Sequence, residues 1–299
     1  MRWIVIFIYV VCFLYVQYRG KVRHRFFRQL SDHSTLTAPF ACFSYLFSTV
    51  PIAPFIDEKL FPELDVLKRE WKSIANEALL LRDAGKIRSS DKYDDIGFNS
   101  FFRGGWQRFY LKWYGKPHPS ALAYCPQTIA ILEKIPSIKA AMFAELPPDG
   151  KLGLHRDPSC GVLRYHLGLV TPNDDKCWIS VDGQRYSWRD GEAVVFDETY
   201  LHTARNETGK DRIILFCDIE RPMRYRWAQW VNGVIGFCLM RGAVSPNEIG
   251  DRTGGLNRIF KYLYAIRRVG KRLKAWNKTI YYIVKWCLFG GIVLAIFWR

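Results

Sequence analysis

Three residues in this chain could share one metal ion. His155 and Asp157 stand two apart in LHRDPSCG (154–161), and His202 follows forty-seven residues after His155 in FDETYLHTARN (196–206). Two neutral imidazoles and one carboxylate cover one face of a borderline divalent ion and leave three positions open, the ligand set of non-haem iron(II) oxygenases. A single anionic ligand keeps such a centre near neutrality once a dianionic cosubstrate joins it. A His-x-Asp triplet also occurs in ordinary polar turns, and His202 could equally cap one. Arg212, ten residues after His202, opens an apolar run. Its guanidinium would stay charged in a buried pocket and could hold a distal carboxylate through two parallel hydrogen bonds. The alternative is an exposed arginine at a strand start. In RYHLGL (164–169), Arg164 and His166 are two apart, so a strand would place both on one face. A histidine there could instead satisfy a core hydrogen bond.

The elements that must position these residues are short strands. VLRYHLGLV (162–170), CWISV (177–181), QRYSW (184–188), EAVVF (192–196) and RIILFCDI (212–219) are apolar or alternating runs separated by turn residues. Asp182-Gly183 is a hairpin signal, and Arg189-Asp190-Gly191 marks a second turn. Strands at roughly ten-residue spacing predict an antiparallel sandwich or jelly roll rather than a parallel sheet. Upstream, residues 60–84 carry helical apolar spacing between Pro62 and Gly85, and 126–135 reads as a short helix. An aromatic cluster, GWQRFYLKWYG, occupies 105–115, and the chain beyond 222 reads as basic, aromatic and helical.

The formal net charge is +16, unevenly spread. Residues 145–220 hold nine Lys/Arg against fourteen Asp/Glu, while 221–278 hold thirteen against two. The basic blocks adjoin apolar segments, which points to anionic lipid headgroups rather than nucleic acid. WIVIFIYVVCFLYVQY (3–18), followed by RGKVRHRFFR, carries its charge block after the apolar run, lacks the cleavage site of a signal peptide and predicts a transmembrane anchor. TIYYIVKWCLFGGIVLAIFW (279–298), preceded by RRVGKRLKAWNK, predicts a second. Both basic flanks would then lie in the cytoplasm, and the middle of the chain with them. The third apolar stretch, 38–55, contains three prolines and is expected to be interfacial or re-entrant. Eight cysteines without a C-x-x-C pair exclude a zinc framework or disulfide scaffold and suit a reducing compartment.

HRDPSCGVLRYHLGLV, WRDGEAVVFDETYLHTARN and DRIILFCDIERP, in this order, resemble the aspartyl/asparaginyl β-hydroxylase family of 2-oxoglutarate-dependent oxygenases. The preceding CPQTIAILEKIPSIKAAMFAELPPDGKLGLH extends the resemblance to roughly 100–222. It implies an α+β fold: a double-stranded β-helix (jelly roll, cupin-like) core with flanking helices, to which the composition adds terminal transmembrane helices. It also implies that His155 and His202 bind Fe(II), that Asp157 completes the metal set, and that His166 and Arg212, with Arg164 less directly, contact 2-oxoglutarate. O2 would be the other cosubstrate. The animal peptide hydroxylases of the family lack the carboxylate that Asp157 supplies. Length, terminal apolar segments and the basic C-terminal region are instead similar to bacterial LpxO-type lipid A 2-hydroxylases. That likeness implies hydroxylation of C2 of a secondary acyl chain of lipid A at the cytoplasmic face of the inner membrane. The expected organisation is an anchor over 1–20, an interfacial segment over 21–59, the dioxygenase domain over 60–222, a lipid-facing region over 223–278 and a membrane helix over 279–299. The alternatives are a membrane-tethered peptidyl aspartyl/asparaginyl hydroxylase and a cupin-like scaffold without catalysis. Oligomeric state is not encoded in any of these features.

Overall fold

The computed structural model describes residues 2–90 and 95–297, apart from the side chains of 261, 263, 292, 293, 296 and 297. In chain order the N-terminal part contains α1 (Arg2–Tyr18), α2 (Phe26–Leu30), α3 (His33–Leu36), α4 (Ala38–Phe47), β1 (Phe55–Ile56), α5 (Asp65–Arg69) and α6 (Trp71–Asp83). Next come β2 (Gln107–Trp113), α7 (Pro119–Tyr124), α8 (Pro126–Glu133), β3 (Ile138–Leu146) and β4 (Lys151–His155). The remaining strands are β5 (Val162–Val170), β6 (Cys177–Val181), β7 (Gln184–Ser187), β8 (Ala193–Phe196), β9 (His202–Asn206) and β10 (Arg212–Glu220). Three helices follow: α9 (Arg226–Arg241), α10 (Gly255–Trp276) and α11 (Lys278–Phe297).

The strands form two antiparallel sheets, ordered β1-β8-β5-β10-β3-β2 and β4-β9-β6-β7. From β3 to β10 the chain passes back and forth between them, the winding of a jelly roll. β5 and β10 are buried on both faces, and a period of two sorts their residues. Leu163, Tyr165 and Leu167, with Ile213, Leu215 and Cys217, join a core shared with α6 and α8 on the outer face. The alternate residues turn inward between the sheets, where Val162, Ile214 and Phe216 meet Ile179 and Ala204 of the smaller sheet. Arg164, His166 and Arg212 occupy that same inward set. Each fully buried Leu, Ile or Phe contributes about 1.5–3 kcal/mol, so the registry that puts polar groups inside is fixed by the apolar residues between them.

Local signals end the elements. The β6–β7 hairpin turns on Asp182 (φ 51°) and Gly183 (φ 84°), both left-handed as a type I′ turn demands. The helix expected over 60–84 is interrupted at Glu70, and α6 ends at Gly85 (φ 65°). There Lys86 N–H donates to the Leu81 carbonyl at 2.8 Å, closing the helix terminus. Gly168, in the H-L-G-L run, is needed for space: a Cβ there would lie 2.0 Å from the Arg189 carbonyl oxygen. Because the obstacle is backbone, Gly168→Ala is expected to destabilise the protein by about 2–3 kcal/mol, measured by urea unfolding.

The membrane reading changes. Among the described residues no helix is long and apolar enough to cross a membrane. α1 has 17 residues, about 26 Å of helix against a ~30 Å hydrocarbon core. One face of its second half is buried, where Cys12 and Val16 share a small cluster with Ala38, Ala41 and Tyr45 of α4, while Val11, Leu14 and Tyr15 stay exposed. α11 carries Lys285, after which twelve apolar residues, about 18 Å of helix, remain to its end. Residue 1 and residues 298–299, which the expected spans included, lie outside the described residues. With no spanning helix among the described residues, the charge bias at the termini fixes no orientation. The stretch 38–55, expected to be interfacial or re-entrant, packs part of its length on the protein. It forms α4, and then Phe55 pairs with Phe196 at the edge of the larger sheet while Val50 enters the outer core.

Candidate functional site

β4 and β9 are neighbours in the smaller sheet, and their register sets His155 opposite His202. The two imidazole rings are 4.2 Å apart between centroids. Each ring is oriented through its far nitrogen. His155 Nδ1 lies 2.6 Å from the Gly153 carbonyl oxygen, and His202 Nδ1 lies 2.9 Å from that of Tyr200. A carbonyl only accepts, so both Nδ1 atoms carry the proton and both Nε2 lone pairs face outward, the usual arrangement of metal-ligating histidines. They face Asp157: its Oδ1 is 3.5 Å from His155 Nε2, and its Oδ2 is 4.0 Å from His202 Nε2. One ligand atom from each of the three lies within 4.8 Å of the others. Burial, then the neighbouring His155, lowers the His202 pKa to about 3, so the ring is neutral at pH 7. Burial would raise Asp157, but Arg164 and the two imidazoles outweigh it and hold the carboxyl below its ordinary value.

The structure thus brings His155, Asp157 and His202 to one point, at the mouth of a narrow pocket whose cavity volume is about 30 Å³. His166 and Arg212 lie deeper. Arg212 is 2 % exposed, and neither its Nε nor its Nη2 has a hydrogen-bond partner. No ion pair reaches it among the described residues. Burial lowers its pKa to about 10, which leaves it charged at neutral pH. Both ring nitrogens of buried His166 also lack partners, and burial, with Arg164 and Arg212 nearby, holds that ring neutral. Trp188 is the residue that sequence reasoning missed. It is fully buried, its Nε1 has no partner, and its ring lies 4.3 Å from the Arg212 guanidinium. An aromatic residue closing a strand looks like core, and only the contact with Arg212 distinguishes this one.

Arg164 is placed differently from the expectation of a cation facing the cosubstrate. It lines the pocket, yet its guanidinium is surrounded by carboxylates: Glu198, Asp157 at 2.9 Å and Asp218 at 3.2 Å. It also lies 3.6 Å over the Phe216 ring. The reason is register, since Asp218 of β10 and Phe196 of β8 are its direct cross-strand partners and Glu198 follows two residues after Phe196. Arg164 therefore holds Asp157 rather than standing free. Arg164→Gln should lower divalent-metal affinity about 10–100-fold. It should also lower stability by about 3–5 kcal/mol, because buried carboxylates lose their countercharge. Calorimetric Mn(II) titration and urea unfolding measure the two effects.

The loops bearing the ligands are clamped from the N-terminal helices. Arg156, between two ligands and 4 % exposed, donates to Gln29 Oε1 at 2.5 Å, Ser34 Oγ at 3.3 Å and the Val16 carbonyl at 3.3 Å. Arg19 donates to Thr199 Oγ1 at 2.6 Å and lies between the Tyr45 and Tyr200 rings, at 4.2 and 3.8 Å. Asp157 N–H in turn donates to the Glu198 carbonyl at 3.0 Å, joining the two loops. On the solvent side, the Phe101 ring lies 4.6 Å from that of His155.

The fold and this interior define the class: a mixed α/β protein on two facing antiparallel sheets, with a three-ligand cluster at the barrel mouth and an unneutralised guanidinium behind it. Residues 68–222 match the family pattern described as Aspartyl/Asparaginyl beta-hydroxylase, and the chain belongs to that family. An ornithine lipid ester-linked acyl 2-hydroxylase from Rhizobium tropici is 35% identical over 59% of this chain and 64% of its own length. The human aspartyl/asparaginyl beta-hydroxylase is 27% identical over 52% of this chain and 21% of its own length. The chain thus spans less than two thirds of either relative. Among solved structures, a Pseudomonas putida prolyl-4-hydroxylase aligns with a TM-score of 0.34 and 18% identity, over 52% of this chain and 88% of that one.

Proposed function

We propose that the chain is an Fe(II)- and 2-oxoglutarate-dependent dioxygenase that hydroxylates C2 of an ester-linked acyl chain of a bacterial membrane lipid. The observation that carries this reading is Arg212. A buried guanidinium without a carboxylate is costly, and the pocket in front of it is lined by His166 and Trp188, whose nitrogens are also unpartnered. A small dianion entering from the metal ligands would satisfy all three. The donor set fits the metal as well, with two neutral Nε2 atoms and one carboxylate.

When bound, iron and 2-oxoglutarate supply the oxidising power for C–H hydroxylation. The chain's own residues bind, orient and exclude water. His155 and His202 present Nε2, fixed by their Nδ1 bonds. Asp157 presents the carboxylate oxygen that Arg164 leaves free. Arg212 takes the distal carboxylate of the cosubstrate, with Trp188 Nε1–H and His166 as further polar contacts. Phe196, Phe216, Ile179 and Ile214 wall the pocket and keep it dry.

The lipid assignment is supported by the acyl-hydroxylating relative and by the carboxylate at Asp157. Lipid A is the substrate expected from sequence, and ornithine lipid is the one the rhizobial relative is named for. Such a substrate places the enzyme at a bacterial membrane surface, and the cytoplasmic face of the inner membrane is the side expected from sequence. Mass spectrometry of lipids from cells with and without the protein tests the reading. A gain of one oxygen on an acyl chain supports it, and the lipid class that shifts identifies the headgroup. Unchanged lipids, together with hydroxylation of an aspartyl or asparaginyl peptide, would replace it with the peptide-hydroxylase reading.

A further inference from the structure

The helix α10 turns one face to the protein and a different, apolar face away from it. Asn257, Phe260 and Tyr264 are buried. Ile259, Ile266, Val269 and Trp276, at 47%, 70%, 65% and 75% exposure, share the opposite side at helical spacing. A helix packed on a core normally buries its apolar stripe. This one leaves the stripe open, among seven Lys/Arg and no Asp/Glu over residues 255–276.

We propose that α10 lies flat on an anionic phospholipid surface, apolar stripe inward, and tethers the pocket-bearing body to it through its opposite face. The occupant follows from charge and shape. A strongly amphipathic helix with low net hydrophobicity and a wholly basic polar face suits the boundary between acyl chains and anionic headgroups. A protein partner would need a matching acidic rim around an apolar groove, and a spanning role is excluded by the helix's own charges.

The helix is also tied to the pocket. Asn257 Oδ1 accepts from Ile96 N–H at 2.6 Å, while its Nδ2 donates to the Ala243 and Val244 carbonyls, each at 2.7 Å. Arg103 donates to Tyr264 Oη at 3.0 Å. Between these two anchors the chain carries Phe98 and Phe101, which line the pocket beside His155. The same segment is pressed onto the sheet at Gly104, where a Cβ would lie 1.9 Å from the Lys151 carbonyl oxygen. A bilayer that seats α10 is thereby separated by one helix from the segment that walls the pocket next to the metal ligands, and an acyl chain would enter past that helix. This last step rests on the acyl-hydroxylase reading; the docking surface itself does not.

The test is partition of the full-length chain onto vesicles of phosphatidylglycerol and phosphatidylethanolamine, compared with pure phosphatidylcholine. The double variant Ile266→Asp/Val269→Asp alters only exposed positions, and circular dichroism checks its fold. It should bind the anionic vesicles at least tenfold more weakly than the parent. Leu122→Asp, a 51% exposed apolar position on α7, should bind as the parent does. The parent should prefer the anionic vesicles and lose that preference in high salt. Undiminished binding by the double variant, equal loss in the Leu122 variant, or parent binding indifferent to lipid charge would each overturn the proposal. Calorimetric binding of 2-oxoglutarate with Mn(II), without lipid, is measured in parallel. Failure there removes the enzyme reading and leaves the docking result standing.

Discussion

Arg212→Met should stabilise the protein and disable it at once. Replacing an unpaired buried charge by an apolar side chain of similar length is expected to gain about 1 kcal/mol or more. For a chain of this size that is a rise of about 2–4 °C in Tm without ligands. The same change should weaken 2-oxoglutarate binding at least about 100-fold, since a charge-assisted, two-pronged contact contributes ~3 kcal/mol. Thermal unfolding and calorimetry with Mn(II) present measure the two effects separately. A loss of stability would mean that Arg212 has a structural partner, and the pocket would lose its claim on a dianion. Arg212→Lys should recover part of the affinity and little of the specificity, because an ammonium lacks the planar fork.

The second large effect is on His155. His155→Ala should reduce turnover at least about a thousandfold, ~4 kcal/mol of transition-state stabilisation. It should change unfolding free energy in the absence of metal by no more than about 1 kcal/mol, since the side chain is partly exposed and no core residue depends on it. In the parent, divalent metal should raise Tm by mass action, and in His155→Ala that increment should disappear. A variant that binds metal normally would remove His155 from the ligand set. Asp157→Ala tests the third ligand of the set. Arg164 keeps Glu198 and Asp218 as countercharges there, so the fold should survive while metal affinity drops.

What sequence made legible is the interior of the larger sheet. β5 and β10 are long apolar runs whose few polar residues fall on one parity, and that parity alone puts Arg164, His166 and Arg212 on a common inner face. His155, Asp157 and His202 were recognisable as residue types, and the structure brings them together through the β4–β9 register. β3, by contrast, is rich in alanine and shows no alternation, and β9 (His202–Asn206) is polar; both are strands because of their neighbours, not their composition. The other carboxylates around Arg164 lie 34 residues away in the β8–β9 loop and 54 residues away on β10, so spacing could not reveal the cluster through which it serves Asp157. At the N-terminus, an apolar helix that spans a bilayer and one that packs a single face on α4 have the same local sequence. Only tertiary contact separates them.

The clamps made by Arg156 and Arg19 have a thermodynamic corollary. Both guanidiniums join helices near the N-terminus to loops that carry the metal ligands, so the order of one is linked to the order of the other. Linkage is reciprocal: whatever free energy a bound metal and dianion invest in ordering residues 155–161 and 197–202 also suppresses opening of α1 to α4. Amide hydrogen exchange in helices without a single residue in the pocket should therefore slow when the pocket fills, making the N-terminal layer a reporter of occupancy.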